Sequence, residues 1–123
     1  MKKLNILIVD DIFTNRLLLS ELIKTLGHNS EQAENGKEAI DFLEKNNFDL
    51  VLMDIEMPVM NGLETCEHIR QKFPAPKKLV PIVALTAHNP SLFFDDFSDA
   101  GFDELLTKPY SLDKIIELIN TIS

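Results

Sequence analysis

The feature that most constrains this chain is a regular exchange between short apolar runs and longer segments with helical spacing. Residues 6–9, 50–53 and 82–85 are apolar throughout, and Leu105 with Leu106 forms a shorter run of the same kind. A strand needs an unbroken apolar run when both of its faces are buried, as they are inside a parallel sheet. The runs therefore predict parallel strands that are covered by helices on both sides.

Between the runs, apolar residues recur at the spacing of a helix. Leu19, Leu22, Ile23 and Leu26 fall at i, i+3, i+4 and i+7, and Gly27 is the predicted stop. Shorter patterns predict four more helices, marked by Ile40 and Leu43; by Cys66, Ile69 and Phe73; by Phe93, Phe97 and Ala100; and by Leu112, Ile115, Ile116 and Ile119, with Ser111 as N-cap. The strand–helix unit recurs five times along the chain, which predicts a doubly wound α/β fold with a five-stranded parallel sheet.

The second strand is predicted within residues 29–34, which are polar almost throughout. We place it at the edge of the sheet, where burial is least. A length of 123 residues fits one domain, so residues 1–123 are expected to form a single folded unit.

The charge and the cysteine content narrow the class of protein. Twenty acidic against twelve basic residues give a net charge of -8, which disfavours direct contact with nucleic acid. Cys66 is the single cysteine, so no disulfide framework can form, and a reducing cytoplasm is the simplest setting. The apolar run behind Met1 is too short for a signal peptide, and no stretch is long enough to span a membrane. We therefore expect a cytoplasmic protein that does not insert into membranes.

Chemically active side chains follow the predicted strands. The first strand ends in Asp10 and Asp11, the third in Asp54, the fourth in Thr86 and the fifth in Thr107-Lys108. Ligands of open α/β sheets bind at the carboxyl ends of the strands, so these groups are expected to converge. Three neighbouring carboxylates repel one another, and something positive must balance them. The candidates are the lysine and a hard divalent cation.

Magnesium suits such a site, because it prefers oxygen ligands and keeps several waters. A carboxylate beyond those that the metal needs can act as a nucleophile towards a phosphoryl group, whose transfer depends on positioning and charge neutralisation. Taken alone, Asp11 could equally be a helix N-cap, Thr86 a loop residue and Lys108 a solvated charge. The combination at four strand ends favours phosphoryl chemistry.

Several segments together resemble the motifs of two-component receiver domains. They are Ile8-Val9-Asp10-Asp11, Leu52-Met53-Asp54-Ile55-Glu56-Met57-Pro58, Asn61-Gly62, Ala84-Leu85-Thr86-Ala87 and Leu106-Thr107-Lys108-Pro109. The resemblance covers roughly residues 4–122 and implies a flavodoxin-like (βα)5 fold with strand order 2-1-3-4-5. In style, Asn15-Arg16 and Glu34-Asn35-Gly36 are similar to the receivers of hybrid sensor kinases.

The resemblance implies a magnesium site. Asp11 would bind Mg²⁺ directly and Asp10 largely through water. Asp54 and the backbone carbonyl of Glu56 would complete the protein's share of the ligands.

The resemblance also implies that Asp54 is the phosphoacceptor. The Thr86 hydroxyl, the Ala87 N–H and the Lys108 ammonium would contact the phosphoryl group. The donor would be a histidine kinase or a histidine phosphotransfer protein, and the chain would catalyse only its own phosphorylation and dephosphorylation. Weak dimerisation or partner docking would use the fourth and fifth predicted helices.

The sequence departs from the family pattern at the usual aromatic switch position, which is Leu105 here. The coupling of a ring to the threonine cannot operate in its usual form, so we expect a conformational switch that is small or that uses other groups. Glu56 and His88 occupy the two positions that influence the lifetime of the phosphoryl group in the family.

Three other functions compete with this interpretation. A haloacid-dehalogenase-like phosphatase also uses a strand-end aspartate and magnesium, but its nucleophile generally follows the first strand of its core domain. A flavodoxin-like cofactor binder needs a phosphate-cradling loop where this chain has Asp10-Asp11-Ile12. A degenerate receiver would bind partners without phosphorylation.

Overall fold

A computed structural model describes residues 3–86, 101–108 and 111–122 of the chain. The five strands are β1 (Asn5–Val9), β2 (Asn29–Ala33), β3 (Leu50–Asp54), β4 (Ile82–Thr86) and β5 (Glu104–Thr107). The described helices are α1 (Phe13–Thr25), α2 (Gly36–Lys45), α3 (Gly62–Lys72) and the C-terminal helix α4 (Leu112–Ile122), with a short 3-10 helix at Lys77–Leu79. The helix predicted across Phe93, Phe97 and Ala100 lies outside the described residues.

The strands form one parallel sheet in the order β2-β1-β3-β4-β5. This order confirms the predicted doubly wound, flavodoxin-like fold. The polar strand β2 lies at the edge, as predicted, and only Ala33 is buried in it. By contrast, every residue of the inner strands β3 and β4 is buried.

Two apolar layers, one on each face of the sheet, make up the core. One layer joins alternate strand residues to α2 and α3, and includes Leu7, Val9, Val51, Met53, Ile40, Leu43, Cys66 and Ile69. The other joins the intervening strand residues to α1 and α4, and includes Ile6, Ile8, Leu50, Leu52, Leu19, Ile23, Ile115 and Ile119. The strands are buried on both faces, so their apolar runs are unbroken. The apolar patterns of the strands and of the helices are therefore both consistent with the same fold.

The ends of the helices explain where the loops turn. After α1, Gly27 has a φ of 89°, its N–H donates to the Lys24 carbonyl and the His28 N–H donates to the Ile23 carbonyl. These two bonds form a Schellman stop, for which glycine is favoured because the conformation is left-handed. Before α4, the Ser111 hydroxyl accepts from the Lys114 N–H at 3.2 Å, which confirms the predicted N-cap.

Arg70, near the end of α3, ties together the segments that lead into β4 and β5. Its guanidinium donates to the carbonyls of Val80 at 2.7 Å and Gly101 at 3.0 Å, and to the Asp103 carboxylate at 2.9 Å. The same Asp103 oxygen accepts the Ile82 N–H at 2.8 Å. The amino-terminal ends of two strands are thus fixed to one helix. Among the described residues, no helix is long and apolar enough to cross a membrane.

Candidate functional site

Three aspartates meet at the carboxyl ends of β1 and β3. The two strands are neighbours, and Val9 pairs with Met53, so the residues that follow, Asp10 and Asp54, lie side by side. Asp10, Asp11 and Asp54 each offer a carboxylate oxygen within 4.8 Å of the others. The side chains of Asp10 and Asp54 are buried, whereas Asp11 is exposed. The predicted convergence of the acidic groups is therefore present in the structure.

Asp10 is the rigid member of the acid pair. Its Oδ1 accepts the Ile12 N–H at 2.9 Å, and its Oδ2 accepts the Asn15 side-chain amide at 3.2 Å. The buried Arg16 donates to the Asp10 carbonyl at 2.7 Å and to the Gln32 side chain at 3.3 Å. Arg16 thus links the first acidic residue to the edge strand β2, and the carboxylate of Asp10 is oriented before any ligand arrives.

Lys108 places a positive charge among the aspartates. It follows β5, and its backbone N–H donates to the Thr86 carbonyl, which extends the pairing of β5 with β4. The ammonium lies 3.1 Å from Asp54 Oδ1 and 3.9 Å from Asp10 Oδ2. A single ammonium cannot neutralise three carboxylates, so the cluster keeps a net negative charge that favours a bound cation.

Burial raises the pKa of Asp54 to about 6, because the charged form loses water. The hydrogen bond and the charge of Lys108 act in the opposite direction and lower the pKa, while the negative charges of Asp10 and Glu56 raise it further. Asp54 is therefore mainly a carboxylate at pH 7, yet one whose negative charge is held at a cost. A cation that neutralises this charge is therefore favoured.

Thr86 and Glu56, which follows Asp54 by two residues, contact each other. The Thr86 side chain is buried, and its hydroxyl donates to Glu56 Oε1 at 2.9 Å. Leu105, at the usual aromatic position, is half-buried and packs against Ile55 and Ala84. Ala87 lies outside the described residues.

The chemistry of the cluster fits magnesium. The donor atoms that the described residues bring together are carboxylate oxygens, which hard cations prefer, without the nitrogen or sulfur ligands of zinc sites. Glu56 follows Asp54 by two residues, so its backbone is next to the cluster, although its side chain turns to Thr86.

The contacts of Asn15 and Arg16 with Asp10 were not predicted from the sequence, in which these two residues indicated only a resemblance to the receivers of hybrid sensor kinases. Their sequence separation from Asp10 could have predicted these contacts. Side chains in the first turn of a helix that starts near residue 13 point back towards the end of the preceding strand. The side-chain contact between Glu56 and Thr86 had no such signal, because two loops from different strand ends have to meet.

A doubly wound sheet with three aspartates, a threonine and a lysine at its carboxyl edge defines the receiver class of signalling domains. A family model described as the response regulator receiver domain matches residues 6–120. The chain belongs to this family.

Similar proteins include both long sensor proteins and separate receivers. The aerobic respiration control sensor protein ArcB of Escherichia coli is 34% identical over 116 residues, which is 94% of this chain and 15% of that protein. The structure of the Vibrio cholerae chemotaxis protein CheY4 matches with a TM-score of 0.90, 26% identity and coverage of 99% and 100% of the two chains.

A third relative bears on the metal site. The receiver domain of the Pseudomonas aeruginosa sensor histidine kinase PA1611 matches with a TM-score of 0.86, 25% identity and coverage of 98% of each chain. That structure is described with a magnesium ion coordinated in its active-site cleft.

The present chain spans the whole length of some receivers and only about 15% of the length of ArcB.

Proposed function

We propose that this chain receives a phosphoryl group on Asp54 from a phosphohistidine donor, in a magnesium-dependent reaction, and relays a signal in this way. The observation that carries the proposal is the position of Asp54, buried at a strand end between two further aspartates and 3.1 Å from the Lys108 ammonium. Family membership supports it over a phosphatase or a flavin-type cofactor binder.

In the proposed step, a carboxylate oxygen of Asp54 forms a bond to phosphorus while the nitrogen–phosphorus bond of the donor breaks. The histidine nitrogen keeps the bonding electron pair and takes up a proton from solvent. Asp54 is suited to the attack because it is mainly ionised at pH 7 and already oriented by Lys108. Such a transfer needs positioning and charge neutralisation more than a strong nucleophile.

Asp10, Asp11, Asp54 and the carbonyl of Glu56 would hold the magnesium ion. When bound, the ion supplies positive charge to the oxygens of the phosphoryl group. The exposed Asp11 is placed for direct contact with an incoming hydrated cation, whereas both carboxylate oxygens of Asp10 already accept protein hydrogen bonds. This difference supports direct ligation by Asp11 and water-mediated ligation by Asp10.

Three further groups would receive the phosphoryl oxygens. Lys108 already lies against Asp54 and would keep one oxygen as an ion pair. Thr86 ends β4, next to the acceptor strand, and its hydroxyl would donate to a second oxygen. The Ala87 N–H, which lies outside the described residues, would donate beside it. The chain would catalyse only its own phosphorylation and dephosphorylation.

Exposed apolar side chains follow both strand ends that carry the aspartates, which supports docking of a protein donor. Ile12, Phe13 and Leu17 begin α1 directly after the acid pair and are 49%, 61% and 43% exposed, and Val59 follows β3 and is 78% exposed. Apolar patches of this kind mark contact surfaces. We place a histidine kinase or a histidine phosphotransfer protein here, while docking or dimerisation through the fourth and fifth predicted helices stays a prediction.

Acetyl phosphate with magnesium tests the phosphorylation directly. The parent should gain the mass of one phosphoryl group, and it should gain none when EDTA is present. The Asp54→Asn variant should gain none under either condition, whereas Asp41→Asn, a change of an exposed acid on α2, should behave as the parent does. Labelling of the Asp54→Asn variant, or repeated failure of the parent with a phosphohistidine donor as well, would contradict the proposal.

A protein donor tests the role of these exposed apolar side chains. Phe13→Ala should slow phosphoryl transfer from a phosphorylated histidine phosphotransfer protein by about tenfold, since a central aromatic contact contributes 1–2 kcal/mol or more to an interface. Its reaction with acetyl phosphate should equal that of the parent. Equal rates with the protein donor would place the docking surface elsewhere.

A further inference from the structure

The hydroxyl that is expected to bind the phosphoryl group is already engaged. Thr86 is fully buried, and its hydroxyl donates to Glu56 Oε1 at 2.9 Å. A hydroxyl carries a single proton, so it can donate to one acceptor at a time. If Thr86 is to donate to a phosphoryl oxygen on Asp54, its bond to Glu56 has to break.

We propose that the Glu56 side chain is a latch, which competes with the phosphoryl group on Asp54 for the proton of the Thr86 hydroxyl. In the unphosphorylated protein the carboxylate of Glu56 holds Thr86, and phosphorylation transfers the hydroxyl to the new acceptor. The inference rests on the proposed function, and it concerns the regulation of that same site. Glu56 acts through Thr86 and is a positioning residue.

Both competing acceptors belong to β3 or to the loop after it, beside the strand that ends in Thr86. Asp54 pairs with Leu85, and the Ile55 N–H donates to the Leu85 carbonyl at 3.0 Å, so Thr86 is the next residue along the strand beside the acceptor. Glu56 leaves the end of β3 in the same direction. A hydrogen bond from a hydroxyl to a carboxylate is charge-assisted, and therefore stronger than one between neutral groups.

Charge gives the latch a direction. The negative charge of Glu56 is close enough to Asp54 to be felt there. A phosphoryl group brings additional negative charge to Asp54, and like charges repel. The arrival of the group therefore weakens the hold of Glu56 at the moment when a second acceptor for the hydroxyl appears.

The leucine at position 105, where the family usually has an aromatic residue, makes the contact between Glu56 and Thr86 more important for the proposed switch. No aromatic ring at position 105 can move together with Thr86, because that position is a leucine, which packs against Ile55 and Ala84. The Glu56–Thr86 bond joins the loop after the acceptor strand to the end of β4. It is thus a described contact whose state has to change with phosphorylation.

Beryllium trifluoride, which stands in for the phosphoryl group on a carboxylate, tests the competition by titration in the presence of magnesium. Glu56→Ala removes the rival acceptor and should tighten the apparent affinity by about tenfold, the equivalent of one ordinary charge-assisted hydrogen bond. Glu56→Gln keeps an acceptor oxygen without the charge, and its gain should be smaller.

A second background separates the latch from simple repulsion. When Thr86→Ala is already present, no hydroxyl remains to be held, so Glu56→Ala should bring only the small gain that comes from removing a charge. Equal gains in both backgrounds, or no gain in either, would overturn the latch.

A measurement without any phosphoryl mimic tests the resting contact between Glu56 and Thr86 separately from the proposed function. In the unphosphorylated parent, the coupling constants of Thr86 should report one side-chain rotamer, and Glu56→Ala should produce averaging between rotamers. Averaging in the parent itself would overturn the latch, even if Asp54 is phosphorylated. A single rotamer in the parent together with no phosphorylation of Asp54 would support the contact and contradict the proposed function instead.

Discussion

The two ends of the sheet both carry charged side chains, but the charges are arranged in opposite ways. At the amino-terminal end, the guanidinium of Arg70 faces one carboxylate, that of Asp103, and donates three further hydrogen bonds to the backbone carbonyls of Lys78, Val80 and Gly101. At the carboxyl-terminal end, three aspartates share one nearby ammonium, that of Lys108, among the residues that the structure describes. The first arrangement is balanced within the protein, whereas the second is not.

The difference separates a structural cluster from a ligand site. A charged group that meets its partner and fills its hydrogen bonds stabilises the fold and needs nothing from solvent. Excess negative charge in a buried place costs folding free energy, which is visible in the raised pKa of Asp54. A bound cation would offset this cost, in agreement with the proposed magnesium site. Substitutions that disrupt each of the two charged clusters separately test this interpretation.

The largest effect on stability is expected at the amino-terminal end. Arg70→Ala removes the bonds to Val80 and Gly101 and leaves the Asp103 carboxylate without its ion pair. We expect a loss of about 3 kcal/mol in the free energy of unfolding, measured by urea denaturation. Lys72→Ala, an exposed change on the same helix, should cost less than about 0.5 kcal/mol.

The folded fraction of Arg70→Ala should still incorporate one phosphoryl group. Loss of phosphorylation in protein that remains folded would show that the two ends of the sheet are not separable.

At the carboxyl-terminal end, removal of a charge should stabilise the protein. Without metal, the folded protein holds the Asp54 proton up to about pH 6, whereas the unfolded chain loses it near 3.8. The contribution of Asp54 to the stability of the parent therefore falls as the pH rises from about 4 to 6. Asp54→Asn lacks this loss, and in EDTA it should be more stable than the parent by about 1–2 kcal/mol at pH 7.

The advantage of Asp54→Asn should shrink as the pH falls from 6 and disappear below 3.8, where Asp54 becomes protonated in the unfolded parent as well as in the folded one. Thermal unfolding in EDTA at several pH values measures it. A variant that is less stable than the parent at pH 7 would mean that the Lys108 ion pair outweighs the burial of the charge.

The smallest expected effect concerns the balance between lysine and metal. Lys108 lies near the same oxygens that would bind magnesium, so its charge opposes a second cation. Lys108→Met should raise the affinity for Mg²⁺ by about tenfold in calorimetric titration. Lys37→Met, an exposed change on α2, serves as the control and should leave the affinity unchanged. A weaker affinity in Lys108→Met would show that the lysine helps to arrange the metal ligands.

Most of the fold could be predicted because the core strands are buried on both faces. Their unbroken apolar runs, and the helical spacing of residues such as Leu19 and Ile23, identify the elements directly. The polar strand β2 could be placed only at the edge, since its pairing with β1 involves the backbone. The Asn-x-x-Glu pattern of Asn61 and Glu64 is typical of a capping box and indicates the start of α3.

The site was predictable in its residues and less so in its contacts. Topology alone brings Asp10, Asp54, Thr86 and Lys108 to one edge, because parallel strands all end there. The bonds of Arg16 to Asp10 and of Glu56 to Thr86 depend on how helices and loops fold over that edge. Such contacts join distant parts of the sequence through side chains, and no local pattern encodes them.

The identity of the phosphorylated residue is the most direct test of the account. After reaction with acetyl phosphate and magnesium, borohydride reduces an aspartyl phosphate to homoserine, and peptide mapping then locates the change. We predict homoserine at position 54 and at no other acidic position. Conversion of Asp10, Asp11 or Glu56 instead, or of several acids together, would contradict it.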